Sequence, residues 1–132
     1  MVDKVRVILA DDRAAVRSSL HLLLDEEPAF EVVAEAADAL ELLQIQTREP
    51  AELILIDWEL PGLALPQLLH LLHYQQRKLL IVAMSSNPDS RQQALDAGVD
   101  AFVDKSQAPD QVLATLHALS TGVVIASEGP SA

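Results

Sequence analysis

The chain contains no cysteine among its 132 residues, and only 3% of them are aromatic. The first absence excludes disulfides and thiolate metal sites, and removes support for an oxidising compartment. The second means that a chain that is 50% hydrophobic builds its core from Leu, Val, Ile and Ala rather than from stacked rings. Basic residues are also scarce. Nine Lys and Arg against 20 Asp and Glu leave a formal net charge of −11, which argues against direct contact with nucleic acid or anionic lipid, because neutralising phosphates requires clustered cations. The same excess is compatible with binding a cation. Long apolar runs are missing too. The opening MVDKVRVILADD passes from a short apolar stretch straight into charge, and no segment approaches the ~18 apolar residues of a membrane span. These absences predict a soluble, cytoplasmic protein that neither enters a membrane nor is exported.

The length suits one domain with one core and leaves no room for a second. Short apolar runs alternate with longer amphipathic ones. VRVILA, FEVVAEA, LILID, LLIVAMS and AFVD read as strands, rich in β-branched residues and bounded by polar or turn residues. Helical spacing places Val16, Leu20, Leu23 and Leu24 on one face of a segment from about Arg13 to Asp25. Leu40, Leu42 and Leu43 serve the second helix, Leu68, Leu69 and Leu72 the third, and Val112, Leu116 and Leu119 the last. The fourth, about Ser90 to Ala97, is short and meets a C-cap at Gly98. Five strands alternating with five helices predict an α/β, doubly wound, flavodoxin-like domain: a parallel sheet with right-handed crossovers and helices on both faces. The almost wholly apolar LILI before Asp57 reads as a central strand covered on both sides.

In a parallel sheet the C-terminal strand ends share one edge. Asp11 and Asp12 follow the first strand, Asp57 ends the third, Ser85 ends the fourth and Lys105 follows the fifth. With strand order 2-1-3-4-5, the first and third strands are neighbours at the switch point, where such folds bind ligands. Three carboxylates brought together there repel unless a cation compensates, and oxygen ligands without His or Cys select Mg²⁺ or Mn²⁺. A cation, a lysine and a hydroxyl around one carboxylate form a clamp for a transferring phosphoryl group, with Asp57 as the nucleophile. Pro61 and Gly62, just beyond Asp57 in DWELPG, force a turn expected to hold its carboxylate outward.

These segments resemble the receiver domains of two-component response regulators over Val5 to Leu119. ILADD is similar to the acidic pair, LILIDWELPG to the phosphoacceptor strand and turn, IVAMSS to the hydroxyl-bearing strand, and DAGVDAFVDKS to the strand with the lysine. Each pattern alone is weak; the four in order are specific. The resemblance implies phosphorylation of Asp57 by a histidine kinase or phosphotransfer protein. It further implies Mg²⁺ held directly by Asp12, largely through water by Asp11, and by the main-chain carbonyl of Glu59. Ser85 and Phe102 take the switch positions that alter the face of the fourth helix, fifth strand and fifth helix, where phosphorylation can promote a homodimer. Glu59 and Asn87 take positions that tune hydrolysis of the phosphoryl group.

DKSQAPDQVLATLHALSTG resembles the subgroup whose receivers precede a helix-turn-helix DNA-binding domain, of the LuxR/NarL type, which points to transcription as the output. On that basis residues 1–121 are the receiver, and 122–132 a tail or truncated linker. Ser106 stands where a proline often follows the lysine, so the usual cis bond is not to be assumed, and the sequence leaves the isomer open. Taken singly the same residues read more plainly. Asp12 is placed to cap the first helix, Lys105 as a loop lysine, and Ser85 as a strand-end hydroxyl bonded to backbone. Phe102 reads most simply as core. His70 and His73, one turn apart, together with His21 and His117 and the acids from Asp25 to Glu27, read as solvated surface. Two rivals share part of this chemistry: a Mg²⁺-dependent aspartyl-phosphate phosphohydrolase, for which no segment is long enough to make a cap, and a receiver-like adaptor working without phosphorylation.

Overall fold

The computed structural model of the chain describes residues 4–107 and 109–121; the tail 122–132 read as a linker lies outside them. Five strands, β1 (Val5–Ala10), β2 (Phe30–Ala36), β3 (Leu53–Asp57), β4 (Leu80–Ser85) and β5 (Ala101–Asp104), alternate with five helices, α1 (Ala14–Asp25), α2 (Ala39–Arg48), α3 (Leu65–Gln75), α4 (Ser90–Ala97) and α5 (Pro109–Thr121). All strand pairs are parallel, in the order β2-β1-β3-β4-β5, as the alternation requires. Every residue of β3 is buried, because helices cover both faces of the sheet at its centre.

Successive strand residues point to opposite faces, and the core divides accordingly. Ile8, Ala10, Ile54, Ile56, Ile81 and Ala83 pack under α2, α3 and α4. Val7, Leu9, Leu53, Leu55, Val82, Met84 and Val103 pack under α1 and α5. Leu68, Leu69 and Leu72 line one side, and Leu20, Leu24, Val112, Leu116 and Leu119 the other. Leu40 departs from the expectation: it is 58% exposed, since α2 starts at Ala39 and turns Ala39, Leu42 and Ile45 to the core instead. Nor does Asp12 cap α1. Arg13 holds the N-cap position without a side-chain bond, and it is Asp11 Oδ1 that accepts the Arg13 N–H at 2.9 Å.

At the end of α4, Gly98 adopts φ +106° with both Ala94 and Leu95 carbonyls accepting its N–H. A Cβ there would meet nothing within 4 Å, so the cost of a side chain is conformational alone. Gly98→Ala is expected to lower stability by about 1 kcal/mol, read as a shift in urea midpoint at unchanged slope.

Candidate functional site

Register brings the acids together. Ala10 on β1 is paired with Ile56 on β3, so the next residues, Asp11 and Asp57, emerge side by side at the C-terminal edge. Asp12 follows on the loop into α1. Carboxylate oxygens from Asp11, Asp12 and Asp57 all lie within 4.8 Å of one another, with Asp11 and Asp57 buried and Asp12 exposed. Asp57 is 4% exposed. The expectation of an outward carboxylate is therefore corrected: the turn after β3 folds back, and the Glu59 N–H bonds Asp57 Oδ1 at 3.0 Å. The turn itself closes through Leu60 N–H to the Asp57 carbonyl at 3.0 Å. Gly62 ends it at φ +115°, where a Cβ would come within 3.1 Å of the Ala39 nitrogen.

Lys105 is delivered by β5, whose Asp104 pairs with Ser85. Its Nζ donates to Asp11 Oδ2 at 2.8 Å and lies 3.4 Å from Asp57 Oδ1, with the side chain 18% exposed. One ammonium thus bridges the two buried carboxylates. Burial, and after it the charge of Asp11, raises the Asp57 pKa, against the Glu59 N–H and Lys105, which lower it. Burial leads because the carboxylate has lost most of its water. The residual charge of the trio beside one lysine favours a cation. Carboxylate oxygens that lie within 4.8 Å of one another are near enough to be drawn onto one hard divalent cation, which takes oxygen ligands. No His or Cys joins the cluster.

Ser85 is fully buried and bonded to backbone, as read for a strand-end hydroxyl, and to a side chain as well. Its Oγ donates toward Glu59, at 3.1 Å from Oε2 and 3.3 Å from Oε1, and accepts the Asn87 N–H at 3.0 Å. Asn87 is exposed, and its Oδ1 accepts the Asp89 N–H at 3.0 Å. Phe102 packs half-buried at the edge of the core, with the Arg91 guanidinium 5.9 Å from its ring centroid. No peptide bond among the described residues is cis, so the bond before Ser106 is trans.

The arrangement of an acidic trio, a lysine and a strand-end hydroxyl at one switch point has counterparts among known proteins. The model for the response regulator receiver domain matches residues 7–117. The chain belongs to that family. A nitrate/nitrite response regulator protein homolog from Haemophilus influenzae is 28% identical over 97% of the chain and 62% of its own length. The transcriptional regulatory protein UhpA from Salmonella typhimurium is 30% identical over 89% of the chain and 60% of its own length. The chain thus spans about three-fifths of these curated relatives. Among solved structures, a two-component response regulator of the LuxR family from Aurantimonas superposes with a TM-score of 0.83 at 25% identity, covering 91% of this chain and 87% of the other. The isolated receiver domain of RcsB from Salmonella enterica, solved with the phosphomimetic BeF₃⁻, gives 0.82 at 25% identity, covering 91% of each. Its relatives place this receiver with regulators of the LuxR and NarL type, and receiver domains are signalling modules.

Several polar groups of the receiver escaped the sequence reading. His21 and His117 are paired, with Nδ1 of His21 2.8 Å from Glu35 Oε2 and Nε2 of His117 2.8 Å from Glu27 Oε1. His73 Nε2 lies 3.2 Å from the Leu79 carbonyl. Only His70 is the exposed helix-face residue expected. Arg17, on α1, donates through Nη1 to the Asp11 carbonyl at 2.7 Å and through Nε to Glu35 Oε1 at 3.0 Å. Nothing local in sequence pairs α1 with the end of β2. No helix among the described residues is long and apolar enough to cross a membrane.

Proposed function

We propose that this receiver, residues 1–121, accepts a phosphoryl group on Asp57 from a histidine kinase or a phosphotransfer protein. A carboxylate oxygen of Asp57 attacks the phosphorus, the P–N bond to the donor imidazole breaks, and an acyl phosphate forms. The observation that carries this reading is a buried carboxylate, Asp57, held against two further acids and 3.4 Å from the Lys105 ammonium. The carboxylates of Asp11, Asp12 and Asp57, with the main-chain carbonyl of Glu59, would hold Mg²⁺ or Mn²⁺. Bound there, the cation would supply charge neutralisation for the phosphoryl oxygens. Lys105 exchanges its contact with Asp57 for one with a phosphoryl oxygen, a charge-assisted bond.

Ser85 then leaves Glu59 for the phosphoryl group, and Phe102 repacks, altering the α4, β5 and α5 face, a two-state element biased by one modification. Glu59 and Asn87 flank the acyl phosphate and set its hydrolysis. The altered face promotes a homodimer and controls an output, for which transcription is supported by relatives such as the transcriptional regulatory protein UhpA. Acetyl phosphate with Mg²⁺ is expected to add one hydroxylamine-labile phosphoryl group by intact mass. A chain whose mass does not change, or whose adduct resists hydroxylamine, overturns the reading.

A further inference from the structure

The pair of acids is only as well placed as the backbone that carries them, and at Asp11 that backbone is held on both sides, by β2 directly and by Arg17 of α1. The Asp11 N–H bonds the Ala36 carbonyl at 3.0 Å. The Asp11 carbonyl, which belongs to the peptide linking Asp11 to Asp12, accepts Arg17 Nη1 at 2.7 Å. Arg17 is in turn oriented by Glu35, the neighbour of Ala36, at 3.0 Å. Arg17 and Glu35 side chains are 19% and 33% exposed, covered enough for the pair not to be screened away. The Glu35 pKa is lowered, first by the hydrogen bond from His21 and, against desolvation, by that from Arg17.

We infer that Arg17, oriented by Glu35, is a positioning residue that fixes the Asp11–Asp12 peptide and so sets divalent-cation affinity. The inference rests on reading the acidic trio as the cation site. A planar guanidinium can serve the carbonyl and the carboxylate at once, whereas an ammonium is a single point charge on a flexible stem. Partners one step removed from a metal typically change affinity 10- to 100-fold when lost.

Charge alone predicts the opposite sign. Deleting a cation beside the site should tighten cation binding, so a loss of affinity isolates positioning from field effects. The test is a Mg²⁺ titration at constant ionic strength followed by fluorescence of Trp58, the single tryptophan of the chain, which adjoins Asp57. Arg17→Met is expected to raise the Mg²⁺ Kd about tenfold, Arg17→Lys to raise it less, and Glu35→Gln to raise it as well. His21→Gln, which removes the other partner of Glu35 and leaves Arg17 in place, is expected to keep the wild-type Kd. Circular dichroism at the titration temperature establishes that each variant is folded. A folded Arg17→Met with a Kd equal to or below wild type overturns the inference. If that variant does not fold, an unchanged Kd in Arg17→Lys does so. Wild-type protein without a saturable response overturns the cation site itself, and the inference with it.

Discussion

Asp57→Asn is expected to gain no phosphoryl group from acetyl phosphate and Mg²⁺ under conditions where the unsubstituted chain gains one. The amide keeps the shape of the carboxylate but is no nucleophile toward phosphorus. Asp11, buried and bonded to Lys105, and Asp12, exposed on the loop, do not replace it, because neither occupies the place at the end of β3 between turn and lysine. Intact mass decides this: an Asn variant that still gains one phosphoryl group relocates the acceptor. The same variant is expected to melt a few degrees higher than wild type in EDTA, against the usual direction of a substitution. Burial raises the Asp57 pKa above the ordinary value of an aspartate, so the folded state binds the proton more tightly than the unfolded chain does. Stability is then greatest below the unfolded pKa and falls as pH rises through the folded one. The melting-temperature gap between Asn variant and wild type should therefore be small in acid and open as pH rises towards neutrality. A gap of constant size, or a variant that melts lower at pH 7, contradicts a destabilising ionised Asp57.

Removing the lysine should do the reverse. Lys105→Ala leaves Asp11, whose side chain is 1% exposed, and Asp57 facing each other without the ammonium that bridges them. Losing one partner of a buried charge set costs roughly 3 kcal/mol or more, a fall on the order of 10 °C for a domain of this size. Mg²⁺ is expected to recover part of it, since a cation among the acids restores the missing charge, by about 1.4 kcal/mol at roughly tenfold its dissociation constant. Thermal melts in EDTA and in a Mg²⁺ series at constant ionic strength provide the test. An unchanged EDTA melting temperature would mean that Lys105 is not the counter-charge of the empty trio. The two substitutions thus shift the metal-free protein in opposite directions, as a cluster with more negative than positive charge requires.

The Ser85 hydroxyl gives the proposed switch a definite starting point. In the unmodified chain it is engaged by the Glu59 carboxylate, on the same turn that follows Asp57, so its movement toward a phosphoryl group breaks one hydrogen bond as it makes another.

Much of this was legible in one dimension. The strands β1, β2, β3 and β5 are the apolar runs read from the sequence, and α4 runs from Ser90 to a left-handed Gly98 as its composition demands. Local pattern suffices there because strand burial and helix capping depend on neighbours two to four residues away. Alternation of strand and helix leaves little choice of topology, and the topology places Asp11, Asp12, Asp57, Ser85 and Lys105 on one edge. Leu40 shows where that reading ends: Leu40 and Leu42 lie two residues apart, about 200° around a helix, so the two do not share a face, and it is Leu42 that is buried.

The sheet, its covered central strand and the membership of the acidic edge therefore follow from residue order. How those side chains are held follows from the folded arrangement. The depth of Asp57 depends on how the turn after β3 folds back. The bridging of Asp11 and Asp57 by Lys105 spans 94 residues, and the grip of Arg17 and Glu35 on the Asp11 carbonyl joins a helix to a strand 18 residues later. The tethering of Ser85 by Glu59 links the end of β4 to the turn after β3, 26 residues apart. Contacts of this kind have no period in the sequence, because the backbone path between the partners, not the partners' spacing, sets their separation in space.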